Sequence, residues 1–301
     1  MYYSTNLLYN LNRNCPLSQL PAAKKDNVKS KKIWYDRGKA ERRRGFMFLD
    51  SVSFMKELLD ELAVYREALQ EPLVMEPFYK DFSYRFCWNS NSIEGNTLSL
   101  DETIEVIDFD TVRSGHTYQE YTEAKNLYRA IQEYLVLSGS KITQEWIQEV
   151  NGCILGEKPG YRKNNLYIGT MTEAVYYPPA FGQVPELMEK LMDQLSGKKD
   201  LSARPEKILE LAEGHIRFER IHPFRDGNGR TGRFILNQQL INEGLLPILI
   251  TDQSKYRQAF RRYDKNGDVS MMAYLIGNGE RQSLETIKGL WKKVLETGLA
   301  K

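Results

Sequence analysis

His215-Ile-Arg-Phe-Glu-Arg-Ile-His222-Pro-Phe-Arg-Asp226-Gly-Asn-Gly-Arg-Thr-Gly-Arg233 holds the densest chemistry in the chain and decides how the rest is read. Upstream, Pro205 to Ile221 is apolar at helical spacing through Ile208, Leu211, Ala212, His215 and Phe218. Downstream, Phe234, Ile235, Leu236, Leu240 and Ile241 lead to Glu243 ahead of Gly244. The stretch therefore reads as helix, glycine turn, helix.

Pro223 cannot continue a helix, so the first helix should end near His222 and leave that imidazole at a helix terminus, outside any packed face. Gly227, Asn228 and Gly229 are expected to adopt positive φ and to aim successive backbone N–H groups at one point beside the next helix N-terminus. Such a terminus favours phosphate through its orphan donors and its dipole, and Arg230 and Arg233 add two positive forks on one helical face. Asp226 has the wrong charge for a phosphate unless a divalent cation lies between them. Mg²⁺, usually held by one or two carboxylates plus substrate phosphates, meets that need. His222 is left as the group able to take a proton near neutral pH.

Other readings of the glycines compete. Gly227 to Gly232 matches G-x-G-x-x-G, but a dinucleotide fingerprint requires a preceding buried strand, and here Ile-His-Pro-Phe-Arg-Asp precedes it. A calcium loop opening at Asp226 fails at Thr231 and Asn237, where Gly and Glu are required. A plain turn with a surface histidine is the bland alternative. Against it stands the joint presence of His222, Asp226, Arg230 and Arg233 at fixed offsets.

His222-Pro-Phe-Arg-Asp226-Gly-Asn228-Gly-Arg230-Thr-Gly-Arg233 resembles the H-P-F-x-[D/E]-G-N-G-R-x-x-R signature of the Fic (filamentation-induced-by-cAMP) family, with no departure at a fixed position. The resemblance implies an all-α fold, a Fic-type helical bundle with one small β-hairpin flap. It also implies a protein adenylyltransferase, which moves AMP from ATP to a Ser, Thr or Tyr hydroxyl of a protein target, the chain itself included. In that assignment His222 is the general base and Asp226 holds Mg²⁺ across the α- and β-phosphates. Gly227, Asn228 and Gly229 cradle phosphate, Arg230 holds the β-phosphate and Arg233 the γ-phosphate. Thr231 and Gly232 belong to the same nucleotide-binding stretch. Transfer of another group, removal of AMP, or nucleotide binding without turnover share the motif and stay open.

Asn89-Ser90-Asn-Ser-Ile-Glu94-Gly95 ends a helix, with Gly95 beyond its C-terminus and Ser90 and Glu94 on one face. By composition alone Glu94 is a surface glutamate. The pattern, however, resembles the [S/T]-x-x-x-E-[G/N] inhibitory motif of Fic proteins. Ser90, Glu94 and Gly95 are thus assigned a regulatory role, with Glu94 pairing Arg233 and intruding on the nucleotide site. Residues 160 to 179 break the helical rhythm and contain a hairpin signal. They resemble the family's flap, which implies that Leu166, Tyr167, Ile168 and Gly169, with the downstream Tyr256, surround nucleotide and target.

The remainder of the chain supplies context. Residues 1–46 hold 11 Lys/Arg against 3 Asp/Glu, whereas the other residues hold 31 against 37, so the basic excess belongs to the arm and the body is mildly acidic. That arm reads as a mostly disordered, solvated tail or as sequence ahead of a start at Met47, with a nucleic-acid- or partner-binding arm as the alternative; nucleic acid is not an expected partner of the core. No apolar run approaches ~18 residues, the tightest cluster being Leu245 to Ile250, so no membrane association is expected. The N-terminus lacks a secretory pattern, and Cys15, Cys87 and Cys153 are too scattered for a disulfide framework, which fits a cytoplasmic protein.

Helical periodicity is read over Phe48 to Gln70, Phe78 to Trp88, 101–114, 117–138, a segment capped by Thr143 and ending near Gly156, Pro185 to Leu195, Ser254 to Tyr263 and Val269 to Leu299. His116 is read as a loop residue, Lys198 to Pro205 as a loop, and Asp264 to Asp268 as a turn. The expected organisation is an arm (1–46), an N-terminal helical region with the inhibitory motif (47–140), a catalytic core (141–284) and a C-terminal helix (285–301). A homodimer is compatible with it.

Overall fold

A computed structural model describes residues 51–111, 113–169, 174–195 and 206–298. The basic arm and the segment from Lys198 to Pro205 lie outside the described residues. Ten α-helices and one two-stranded hairpin are present among those described. In chain order they are α1 (Ser51–Val64), α2 (Pro72–Ile93), α3 (Leu100–Phe109), α4 (Tyr118–Tyr134), α5 (Gln144–Leu155), β1 (Ile168–Gly169), β2 (Ala174–Tyr176), α6 (Val184–Leu195), α7 (Lys207–Ile221), α8 (Asn228–Asn242), α9 (Gln253–Asn266) and α10 (Ser270–Thr297). This is the all-α bundle with a small hairpin that the periodicities indicate.

Helix α8 is the axis of the bundle. Residues 230–241 are buried without exception, although Arg230, Thr231, Arg233, Asn237, Gln238 and Gln239 are polar. For Thr231, Arg233, Asn237 and Gln238 hydrogen bonds explain why burial is tolerated, since a buried polar group without a partner costs on the order of 1–3 kcal/mol. Asn237 accepts from Ile248 N and donates to Arg233 O and Ile248 O, while Gln238 accepts from Val136 N and donates to Val136 O. The helix is thus tied by side chain to the segments on both sides of it. Around it pack α2, α5 and α7, and the long α10 closes the far side against α1, α2, α7 and α9.

Local chemistry sets the helix ends. Capping boxes start α3 (Ser99 with Glu102) and α4 (Thr117 with Glu120). Thr143 caps α5 through Trp146 N, and Gly156 ends it in the left-handed region at φ 67°.

Several boundaries differ from the sequence reading, each for an identifiable reason. The periodic run from Phe48 to Gln70 is two pieces, α1 and a 3₁₀ turn at Ala68–Gln70, because the chain turns at Tyr65 to Glu67 before Pro72 begins α2. Pro72 occupies a first-turn position, so α2 starts well before Phe78 and accommodates Pro77 early in its length. The segments 101–114 and 117–138 shorten to α3 and α4. Asp110, left-handed at φ 56°, ends the first, and Leu135, extended, ends the second. Asp264 to Asn266 continue α9, so the turn begins only at Gly267, φ 72°. Helix α10 runs unbroken through residues 284 and 285, and its Ile287 and Val294 share the main core with Leu62, Leu211 and Leu240.

Candidate active site

The site forms where α7 stops and α8 starts. His222 is the C-cap of α7 and is left-handed at φ 51°, one of two non-glycine residues in that region among those described. Pro223 then leads the chain out, and Asn228 braces the loop by donating to Phe224 O and accepting from Phe224 N, both at 2.9 Å. Gly227, φ 72°, is the N-cap of α8, and an added Cβ there would sit 3.0 Å from the amide nitrogen of Asn151. Asn151 itself donates to Asp226 O and to Thr231 Oγ1, each at 3.0 Å. Of the three residues expected at positive φ only Gly227 adopts it. Asn228 and Gly229 are the first residues of α8, so the anion-facing donors come from the helix terminus itself.

His222 is mostly buried. Its Nδ1 lies 3.3 Å from Glu219 O, which fixes Nδ1 as the protonated, donating nitrogen and leaves Nε2 as the basic one. Burial pushes the His222 pKa below its ordinary value; the Glu219 carbonyl and Glu94 work the other way, and Arg162 and Arg220 reinforce the lowering. The imidazole is therefore neutral at neutral pH, the state a general base requires.

The two arginines differ in their partners. Arg233 is 1% exposed, with Nε donating to Ser90 Oγ (2.9 Å) and Nη2 donating to Ser90 O (2.8 Å) and Glu94 Oε1 (2.7 Å). Burial opposes its charge, but Glu94, Tyr256 and Glu219 more than offset that and hold the guanidinium firmly protonated. Arg230, 3% exposed, has no such satisfaction. Its Nη1 is 3.3 Å from Glu123 Oε1 and its Nη2 is 3.6 Å from Asp226 Oδ1, yet Nε and Nη1 are buried without a hydrogen-bond partner. Buried donors left open beside a helix N-terminus are suited to an anion.

Ser90 and Glu94 come from the end of α2, where Glu94 is the C-cap and Gly95 takes φ 99°. The Glu94 carboxylate fills the space above Gly229, where a Cβ would lie 2.1 Å from Oε1. The sequence pairing of Glu94 with Arg233 is thus present as a direct contact, and the carboxylate occupies the mouth of the anion cradle.

Beneath Arg233 lies a buried layer. His215 Nε2 is 2.8 Å from the Tyr256 hydroxyl and its Nδ1 is 3.2 Å from Gly232 O. Burial, with Arg233 adding to it, pushes the His215 pKa down to about 3, so His215 is neutral and accepts from Tyr256. Glu219 is also in this layer; burial raises its pKa to about 7, Arg233 opposing and Glu94 adding to the rise.

Tyr256 is 5% exposed and sits under the arginine, its ring 5.9 Å from the Arg233 guanidinium. Thr231 and Gly232 are buried too and face the protein interior. In the hairpin Leu166 and Ile168 are half-buried while Tyr167 and Gly169 are exposed. Ile168 pairs with Tyr176, and Tyr176 packs its ring 4.4 Å from the Arg220 guanidinium on α7, which sets the hairpin beside the end of the motif helix.

Four contributors escaped the sequence reading. Asn151, Arg162, Glu123 and Glu219 reach the site from α5, the segment before the hairpin, α4 and α7. Glu219 alone lies within the motif helix, where its spacing to His222 offered a signal.

This helix–loop–helix brings a buried helix N-terminus, two buried arginines and a neutral histidine together. Residues 141–240 match the Fic/DOC family. Among the chain's relatives are the protein adenylyltransferase Fic of Drosophila willistoni, 29% identical over 216 residues, covering 68% of this chain and 42% of that protein. That of Drosophila mojavensis is 27% identical over 243 residues, covering 78% and 46%. The chain spans less than half the length of these curated relatives. The fold is shared with a Fic-domain signalling protein of Bacteroides thetaiotaomicron at a TM-score of 0.64 and 24% identity, covering 82% of this chain and 97% of that one. A fragment of Fic-1 from C. elegans also gives 0.64, at 21% identity and 85% and 74% coverage.

Proposed function

We propose that the chain is a protein adenylyltransferase that moves AMP from ATP to a hydroxyl side chain of a protein, kept silent by Glu94. The observation that carries this reading is Arg233, buried and charged, whose Nη2 is taken by Glu94 at the N-terminus of a helix otherwise shaped for phosphate. With Glu94 displaced, Arg233 would hold the γ-phosphate and the open donors of Arg230 the β-phosphate. The target hydroxyl oxygen would then attack the α-phosphorus, its proton passing to His222 Nε2 while pyrophosphate leaves. Such in-line transfer depends on positioning and charge neutralisation, which is what these residues offer.

A magnesium ion fits the donor set. Asp226 has a 61% exposed side chain beside the open donors of Arg230, and one carboxylate completed by phosphate oxygens and water is an ordinary arrangement for this ion. Bound there it would neutralise phosphate charge; Asp226 would hold it. The hairpin, with Leu166 to Gly169 at its first strand, would align a target segment by edge pairing. No helix among the described residues is long and apolar enough to cross a membrane. A cytoplasmic setting is part of this reading, supported by the unpaired Cys87 and Cys153.

The test is incubation with labelled ATP and Mg²⁺ of the wild-type chain, Glu94→Gly and His222→Ala. Label on protein that rises in the first variant and vanishes in the second is the expected result. ATP binding with no transfer in any of the three would instead identify a nucleotide-binding module.

A further inference from the structure

Arg162, 6% exposed, directs its side chain at main-chain oxygens alone. Nε donates to His222 O at 2.8 Å, Nη1 to Asn164 O at 3.0 Å, and Nη2 to Pro179 O. Its own N–H donates to Pro223 O at 2.9 Å. Asn164 and Pro179 flank the hairpin on its two sides, so one planar fork joins both ends of the hairpin to the carbonyl of the histidine.

No carboxylate among the described residues pairs with this guanidinium, and burial alone lowers its pKa. An arginine buried against carbonyls only is expensive to desolvate, and such a cost persists where the geometry it enforces matters. The geometry here is unusual. His222 is left-handed, a conformation that costs a non-glycine residue on the order of 1 kcal/mol or more and persists only when its surroundings over-determine it. The Arg162 bond to the His222 carbonyl is one such determinant.

We propose that Arg162 is a positioning residue: it sets the backbone of His222 and the base of the hairpin as one unit, so that the basic nitrogen and the target-aligning strand keep a fixed relation. This rests on the transferase reading above. It assigns Arg162 no contact with ATP. The flat, forked guanidinium is needed because three carbonyls are met at once, which the pyramidal ammonium of lysine does not reproduce.

The hairpin base keeps an independent tie, Phe181 N to Asn165 Oδ1 at 2.9 Å, so Arg162→Gln is expected to alter orientation without unfolding the hairpin. In a Glu94→Gly background, Arg162→Gln and Arg162→Lys are compared with the parent. Three readouts apply: ATP affinity, rate of label transfer, and NMR titration of His222, one of only three histidines in the chain. Amide exchange over residues 163–169 and 175–177 is followed alongside. The groups facing His222 are Glu219, Glu94, Arg220 and Arg162, and Arg162 is among those that lower its pKa. We expect ATP affinity to stay within about threefold, transfer to fall at least about tenfold, hairpin amides to exchange faster, and the His222 titration of the Gln variant to move upward. Lysine, keeping the charge, should leave the titration near the parental value while restoring transfer only in part.

Unchanged hairpin exchange together with an unchanged His222 titration would overturn the proposal, as would full activity in Arg162→Lys. Loss of ATP binding with general loss of protection would overturn it too, in favour of a merely structural role. A parent that transfers nothing defeats the transferase reading instead, and the exchange and titration still decide the clamp.

Discussion

Glu94 Oε1 accepts a hydrogen bond from Arg233 Nη2 at 2.7 Å, across 139 residues of sequence, and the same guanidinium is held by Ser90 through both its hydroxyl and its carbonyl. The pair is asymmetric. Arg233 is sealed in, whereas the Glu94 side chain is 38% exposed and can leave toward solvent. Departure would strand a buried charge unless another anion replaces the carboxylate, so on the proposed reading an incoming phosphate and Glu94 would compete for one fork.

From that competition the first expectation follows. Glu94→Gly should raise transfer to self or target at least about tenfold, equivalent to roughly 1.4 kcal/mol of barrier. Adding Arg233→Ala should abolish the gain, because on the proposed reading one guanidinium would serve both inhibitor and substrate. A labelled-ATP assay on the single and double variants checks this; an unchanged rate in Glu94→Gly would return Glu94 to an ordinary helix-end residue.

Asp226 allows a cleaner separation of chemistry from stability. Its carboxylate is exposed and accepts from Gly227 N within the loop. Asp226→Ala in the Glu94→Gly background should lose Mg²⁺-dependent transfer while stability shifts by no more than about 0.5 kcal/mol. Activity retained across a Mg²⁺ titration would remove Asp226 from the site.

The rate of transfer should also report the state of His222. Burial holds its pKa below the ordinary 6.5, so the basic form is already present at that pH. The acid limb of the pH–rate profile for Glu94→Gly is expected below pH 6.5, with a plateau above it. A half-maximal point above 6.5 would contradict the neutral imidazole described here.

Glu219 links the buried layer to stability. Its folded pKa is raised from 4.5 to about 7, so the folded state keeps a proton that the unfolded chain has released. That stabilisation is full below about 4.5 and is lost as pH rises through 7. His215, pushed from 6.5 down to about 3, acts in the opposite sense: the unfolded chain binds a proton that the fold refuses, so stability rises with pH up to 6.5. The two oppose each other between 4.5 and 6.5, and above 6.5 the Glu219 contribution stands uncompensated by His215. Thermal denaturation at pH 6.5 and 8 should therefore show a smaller decline in Glu219→Gln than in wild type, by on the order of 1 kcal/mol or about 2–4 °C. Parallel declines would count against a buried protonated Glu219.

What could be read without coordinates was what local rules govern. Thr143 and Gly156 bracket α5 because a cap and a left-handed glycine act on their own neighbours, and the α7–α8 turn is marked by Pro223 and Gly227 for the same reason. Ser90 and Glu94 were legible only as a resemblance, since nothing within α2 shows that Arg233 lies opposite. Arg162 left no trace: its partners are main-chain carbonyls, the farthest 60 residues away, and a carbonyl has no sequence. Tyr256 was expected near nucleotide and target, but burial beneath Arg233 is a tertiary outcome that α9 periodicity does not specify. Helix α2 was read from Phe78, where its apolar spacing becomes regular, yet it starts at Pro72, since a first-turn proline is compatible with a helix.

Gly229 provides the last test, because it separates the removal of Glu94 from the opening of the site. Its backbone is helical, so no positive φ demands a glycine; the space above it does. An added Cβ would lie 2.1 Å from Glu94 Oε1 and 3.0 Å from Arg233 Nη1. Both contacts are far ends of flexible side chains, so Gly229→Ala should fold, with the Glu94 carboxylate pushed off its place. If displacement of Glu94 were sufficient, this variant would match Glu94→Gly in transfer. The methyl group, however, takes the position that the carboxylate vacates and that a phosphate oxygen would need, so we expect no gain in transfer and at least about tenfold weaker ATP binding than in Glu94→Gly. Exchange of the amides at 91–96 should quicken in the same variant, reporting the loosened turn. Transfer rising to the Glu94→Gly level would show that the phosphate does not approach over Gly229, and the cradle would have to be redrawn around Gly227 and Arg230 alone.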